Sequence, residues 1–144
     1  RGTGQLQRTL SAADLVTRAV GGKHAKQRIH PATKTFQGIR IAINGELEAL
    51  AMTLPKVFRA LKPGGVLAII SFHSLEDRIV KRFMRKMSGR PQHRGDHSFV
   101  AERTAYAEMV QSKAIFPTKE EVMSNPRSRS ARLRVLRKLR HPEM

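Results

Sequence analysis

Ser71-Phe72-His73-Ser74-Leu75-Glu76-Asp77 sets two hydroxyls, an imidazole and two carboxylates within seven residues, directly after the apolar run at residues 66–70. Where such a run is a strand of an open α/β sheet, ligands bind just beyond its carboxyl end. Ser71, His73 and Ser74 lie at that place. A helix starting at Ser74 turns its first N–H groups and its positive dipole end toward the same point, a seat for a phosphate, a carboxylate or a base edge. The structural reading of the same residues has Ser74 as the helix cap, Asp77 three residues on as its capping-box partner, and His73 as loop filler.

A second candidate is Ser124-Asn125-Pro126-Arg127-Ser128-Arg129-Ser130-Ala131-Arg132-Leu133-Arg134. From Arg127 to Arg140 seven cations fall in 14 residues. Arginine forks match phosphate bidentately and serine hydroxyls add neutral donors, so Arg127, Arg129 and Arg132 are candidate phosphate contacts. The alternative is a solvated basic edge. A third stretch, Arg78, Lys81, Arg82, Arg85, Lys86, Arg90 and Arg94, has no acid between Asp77 and Asp96 and reads as a backbone-binding stripe. His93 and His97, four apart, are a weak pair for a metal, and no metal site is expected. No Walker loop and no Ser-His-acid triad is readable. Gly64-Gly65 precedes a strand, whereas a dinucleotide loop follows one.

The balance of 28 Lys and Arg against 11 acids, a net charge of +17, favours a polyanionic partner, nucleic acid first. No apolar run reaches the roughly 20 residues of a membrane span, so no membrane partner is expected. With no Cys, disulfides and thiolate metal sites are excluded, and a cytoplasmic protein is the simplest fit.

The elements that must position these residues follow from periodicity. Ser11, Asp14 and Leu15 predict a helix capped at Ser11 and ending at Gly21-Gly22, followed by a basic linker to Pro31. Phe36, Ile39, Ile43, Leu47, Leu50, Leu54, Val57 and Leu61 form one helical stripe over 34–61, with a kink or a junction of two helices expected at Pro55. Residues 66–70 have no polar alternation and predict a central parallel strand covered on both faces. A helix over 74–87 buries Ile79, Val80, Phe83, Met84 and Met87. Residues 88–112 read as an insertion with a short helix at 99–110. A strand is expected at 114–116, a helix at 118–124 boxed by Thr118 and Glu121, and a strand at 131–138 with Ala131, Leu133 and Val135 inward and a basic outer face. The whole spells half of a doubly wound α/β fold.

Taken in order, His30-Pro31-Ala32-Thr33-Lys34-Thr35-Phe36-Gln37, Arg40-Ile41, Asn44-Gly45-Glu46-Leu47, Leu61-Lys62-Pro63-Gly64-Gly65, the Ser71–Asp77 string and Asn125-Pro126-Arg127-Ser128-Arg129-Ser130 resemble the ribosomal RNA small-subunit methyltransferase H (MraW) family over about residues 2–139. The resemblance implies the C-terminal half of a class I, Rossmann-like, S-adenosylmethionine-dependent methyltransferase sheet, with residues 1–30 the tail of an inserted helical domain and 31–144 part of the methyltransferase domain. The strand at 66–71 would be the fifth of that sheet, and those near 113–116 and 131–138 its edge. It implies N4-methylation of a cytidine in small-subunit ribosomal RNA, with that RNA or the 30S-type subunit as partner. Ser71, His73 and Ser74 would touch the flipped nucleotide or shape its pocket, Asn125 is a further substrate or RNA candidate at a turn, and Arg127, Arg129 and Arg132 would hold phosphates. The family's S-adenosylmethionine seat, a Gly-rich loop, an acid and a Ser-Ser-Pro loop, lies in its N-terminal half. No cofactor-binding residue is therefore expected in this chain, which alone should bind the cofactor poorly and be inactive. A non-catalytic basic rRNA-binding module fits the composition equally, and a transferase using His73 as base lacks a recognisable nucleophile.

Overall fold

A computed structural model describes residues 8–20, 30–93, 95 and 104–142. The chain divides into two units, Arg1–Glu46 and Leu47–Met144. In the first, α1 (Thr9–Val20) packs against α2 (Pro31–Asn44), whose Ala32 is buried. α1 begins two residues before the expected cap, so Ser11 lies inside its first turn. Its end agrees with the glycines that follow, but the linker at 21–29 lies outside the described residues. His30 caps α2, its Nδ1 accepting from Ala32 N at 3.2 Å, with Pro31 at the first helical position, where a missing N–H does no harm.

The long stripe, expected to kink or join two helices at Pro55, divides into two helices at Gly45. Gly45 adopts φ 60°, the left-handed conformation that closes a helix, and its N–H bonds to Ile41 O at 2.9 Å. Pro55 sits within α3 (Glu46–Ala60) without ending it. The stripe therefore belongs to two helices, and only its later part, Leu50, Leu54 and Leu61 together with Phe58, enters the core.

That core belongs to the second unit. Leu54 and Phe58 of α3, Leu67 of β1 (Val66–Ser71), Val80 and Met84 of α4 (Ser74–Met87), Ala107 of β2 (Ala107–Met109) and Leu136 of β3 (Arg132–Lys138) form one buried cluster. The sheet has the order β1-β3-β2, with both pairs antiparallel. The parallel pairing expected for residues 66–70 is thus absent among the described residues. β2 replaces part of the helix expected at 99–110, whose first residues lie outside the described ones. The strand expected near 113–116 is reduced to a single bridge, Ile115 with Leu133.

The register explains which residues are buried. Leu67 faces Leu136, Ile69 faces Arg134 and Ser71 faces Arg132, and this side meets α3 and α4. The side of β3 expected to be a basic outer face is therefore the inward one: Arg134, Leu136 and Lys138 are buried. Their cations are neutralised in place. Lys138, 0% exposed, donates from Nζ to the carbonyls of Phe58 at 2.9 Å, Arg59 at 3.2 Å and Leu61 at 2.6 Å. These are the orphan carbonyls at the C-terminal end of α3, where a cation also meets the negative dipole end. The opposite side of the sheet is bare. Val66 is 50% exposed, Ile70 58% and neighbouring Phe116 61%, although the run at 66–70 carries apolar residues on both sides. The sequence encodes burial on two faces, and the described residues supply a layer on one.

The turn before β1 needs both its glycines. Gly64 has φ 83°, and a Cβ on Gly65 would lie 2.8 Å from Lys62 O. Gly64 N donates to Lys138 O, and Lys138 N to Gly65 O, each at 2.8 Å, which ties the start of β1 to the end of β3.

Lys138→Met removes the donor for three helix-terminal carbonyls while keeping the bulk. Denaturant unfolding should show a loss of about 2–3 kcal/mol; an unchanged midpoint would mean that water caps α3 equally well.

Candidate functional site

Antiparallel pairing of β1 with β3 brings the two sequence candidates to one end of the sheet. Ser71 ends β1 opposite Arg132, which begins β3, and Ser71 Oγ donates to Arg132 O at 3.5 Å. The loop 72–73 and the turn 125–131 therefore flank the same edge.

The loop is built by a capping box one residue earlier than expected. The N-cap of α4 is His73, not Ser74: His73 Nδ1 accepts from Glu76 N at 3.3 Å, and the Glu76 carboxylate accepts from Phe72 N at 2.9 Å and His73 N at 3.2 Å. His73-x-x-Glu76 and Ser74-x-x-Asp77 are overlapping candidates, and the first wins because Asp77 is needed elsewhere. A Nδ1 that accepts leaves the neutral ring's proton on Nε2. That nitrogen lies 3.2 Å from Glu76 Oε1 yet is buried and makes no hydrogen bond among the described residues. Glu76 thus takes the two N–H groups just before the helix and His73 the N–H of Glu76, which leaves the Ser74 and Leu75 N–H groups without such a bond among the described residues.

Asp77 points inward. It shares a helix face with Val80 and Met84, and all three are buried. Its Oδ1 accepts from Arg134 Nε at 2.7 Å, and its Oδ2 from Arg134 Nη2 and Arg132 Nη1, both at 3.1 Å. Burial works to raise the Asp77 carboxyl, but hydrogen bonds and charge from Arg134 and Arg132 outweigh it and hold the group below its ordinary value near 3.8. Arg132 also lies 5.7 Å over the Phe116 ring, so of the three expected phosphate contacts it is the one already engaged.

The second string folds as a short 3₁₀ turn, Pro126–Ser130, after α5 (Lys119–Ser124). Thr118 caps α5, accepting from Glu121 N at 3.1 Å as its spacing predicts. Asn125 then caps the turn, its Oδ1 accepting from Arg127 N at 3.2 Å, with Pro126 at the first position. Buried Ser128 donates its hydroxyl to Asn125 O at 2.8 Å. The serine and asparagine hold the turn, and Arg127 and Arg129 are left exposed on it.

Each candidate now has a place. Ser71 is buried, His73 is nearly so, and Ser74, Asn125, Arg127 and Arg129 are exposed, while Arg132 is half-buried on Asp77. Sequence reading missed Glu76 as the cap's carboxylate and Asp77 as the joint between α4 and β3. The signal for Asp77 was its spacing of three and seven from Val80 and Met84.

The sequence matches the MraW methylase family over residues 1–139. This chain belongs to that family. It is 49% identical over 136 residues to the ribosomal RNA small subunit methyltransferase H of Myxococcus xanthus, covering 92% of this chain and 44% of that protein. The protein of the same name in Caulobacter sp. (strain K31) is 46% identical over 129 residues, 88% of this chain and 40% of its own length. The one in Chelativorans sp. (strain BNC1) is 47% identical over 132 residues, covering 90% and 38%. The chain thus spans about two fifths of the length of these relatives.

Asp77→Asn should lower stability by about 3 kcal/mol, the low end for stripping a buried cation of its partner, since Arg132 keeps 35% of its side chain exposed. Because the Asp77 pKa is depressed in the folded state, its contribution is complete above the ordinary value and is lost as pH falls through the lower folded one. The gap between wild type and Asp77→Asn in denaturant titrations should accordingly be constant near neutrality and close below about pH 3.8. A gap that persists in strong acid would show that the carboxylate charge is not what matters.

Proposed function

We propose that this chain is the C-terminal part of an S-adenosylmethionine-dependent methyltransferase acting on the N4 amine of a cytidine in small-subunit ribosomal RNA. The observation that carries the reading is the family match over residues 1–139 to proteins named for small-subunit ribosomal RNA methylation. The remaining three fifths of those proteins have an obvious place to pack. The bare apolar side of β1 and its unpaired edge fit the next strand and the second helical layer of a Rossmann-like sheet, with residues 1–30 continuing an inserted helical domain. Work on ribosomal RNA suits a cytoplasmic enzyme, and among the described residues no helix is long and apolar enough to cross a membrane.

The residues present do not suit the cofactor. The loop beside Ser71 places the Glu76 carboxylate on Phe72 N and His73 N, a negative group next to the helix end, and no Gly-rich loop follows β1. S-adenosylmethionine would be held by the N-terminal part. This chain's share is to receive the nucleotide, which must leave its stack to be modified, and to fix its amine in line. In this arrangement exposed Ser74 offers the polar contact to the base. Ser71 and His73 set the loop's shape, Asn125 sets the turn, and Arg127 and Arg129 hold phosphates on either side. Arg132, tethered to Asp77, fixes the start of β3 beneath them.

The test is methyl transfer from labelled S-adenosylmethionine to undermethylated small subunits. The 144-residue chain should be silent and the chain extended to its relatives' length active. His73→Ala in the extended form should lower turnover more than about tenfold, the range of lost positioning. Silence of both forms with RNA binding kept would favour a non-catalytic rRNA-binding module. Unchanged turnover in His73→Ala would end that residue's part.

A further inference from the structure

One charged surface lies outside the site. α4 buries Asp77, Val80 and Met84, which turns Arg78, Lys81, Arg82 and Lys86 outward. None of these four has a hydrogen bond or an ion pair among the described residues. Neighbouring cations are engaged: Arg85 Nε donates to Pro91 O, and Arg90 reaches Met109 Sδ at 4.0 Å. Both acids of the helix are committed as well, Glu76 to the cap and Asp77 to Arg134 and Arg132. Like charges at i and i+4, as in Arg78, Arg82 and Lys86, oppose the helix that carries them. Among the described residues the face therefore has no counter-charge and is suited to an external one.

Geometry gives the row a direction. Positions 78, 82 and 86 advance by about 6 Å each along the axis, and the row starts about one turn after Ser74 and leads away from the site. An anionic membrane is the weaker match. A helix that lies in a membrane surface inserts an apolar side, and the apolar side of α4, Val80, Phe83 and Met84, is packed into the core.

We propose that the outer face of α4 is a second docking surface for the RNA phosphodiester backbone, along which the strand flanking the target nucleotide runs after leaving the 71–74 loop. The proposal rests on the RNA reading above but not on methyl transfer. Arg127 and Arg129 hold the substrate at the site, and α4 sets the direction in which the strand departs.

The experiment is a salt titration of the chain's affinity for a fluorescent hairpin of small-subunit ribosomal RNA. It compares Arg78→Gln/Lys81→Gln/Arg82→Gln/Lys86→Gln with the charge-matched Lys56→Gln/Lys62→Gln/Lys113→Gln/Lys119→Gln, all at exposed positions. The α4 variant should lower the slope of log K against log salt by about 3 and weaken binding more than about tenfold, whereas the control changes the slope by less than about 1. Equal losses in the two variants overturn the proposal, since net charge alone would then explain binding. So does loss of binding to phosphatidylserine vesicles by the α4 variant with RNA affinity kept. A photo-cross-linker at Arg82 gives a second reading free of folding effects and should yield an RNA adduct where one at Lys119 does not; the reverse pattern also overturns it. Methyl transfer is not measured, so an inactive enzyme with an intact slope difference sinks only the catalytic reading.

Discussion

A carboxylate cannot stay ionised inside a protein unless its charge is met where it sits, and Asp77 is met by two arginines through three hydrogen bonds. That requirement sets much of the second unit. It fixes the rotation of α4 about its axis, because the face that carries Asp77 must turn to β3. The same rotation buries Val80 and Met84 and sends the free cations to the outside. It fixes the start of β3 next to the end of β1, and with it the turn that bears Arg127 and Arg129. Apolar contacts in the cluster around Phe58 and Leu136 supply most of the driving force, but they are non-directional. The forked Arg134–Asp77 contact is directional, and it selects one register of helix on sheet.

Lys138 plays the matching part at the opposite end of β3. Its ammonium closes the C-terminal carbonyls of α3 and lies 5.1 Å from the centre of the Phe58 ring. β3 thus inserts two cations into the interior, each neutralised by a different element: a carboxylate of α4 and the dipole end of α3. The net charge of +17 overstates the free positive surface for this reason; among the described residues, α4 and the turn before β3 each carry exposed cations without an acidic partner.

The legible and illegible parts of the sequence divide along the same line. Short-range signals were readable: the Thr118 cap, the Gly64-Gly65 turn, the stripe of α4 and the apolar strand at 66–70. Matters decided by a distant partner were not. At 131–138 charge suggests exposure for the side of Arg134 and Lys138, whereas Leu136 between them marks that side as inward. Pro55 signals a kink or a junction of two helices, but the junction falls at Gly45, whose φ of 60° ends the helix outright. The lack of polar alternation at 66–70 suggests covering on both sides, and among the described residues only one side is covered. In the site, the meeting of the two candidate strings at one sheet end depends on the antiparallel pairing of β1 with β3, and the choice between overlapping boxes at 73 and 74 on the position of Arg134.

The helix end divides its donors. Glu76 folds back on Phe72 N and His73 N, which precede the helix, and His73 Nδ1 accepts from Glu76 N, so the chain's own side chains satisfy three N–H groups there. The Ser74 and Leu75 N–H groups of the first turn take no such bond among the described residues. The Glu76 carboxylate beside them offsets part of the positive end of the helix dipole, so attraction for anions at this sheet end is shared with the exposed Arg127 and Arg129. On the proposed reading, a nucleotide would turn its charged backbone to those arginines and its uncharged base edge to Ser74.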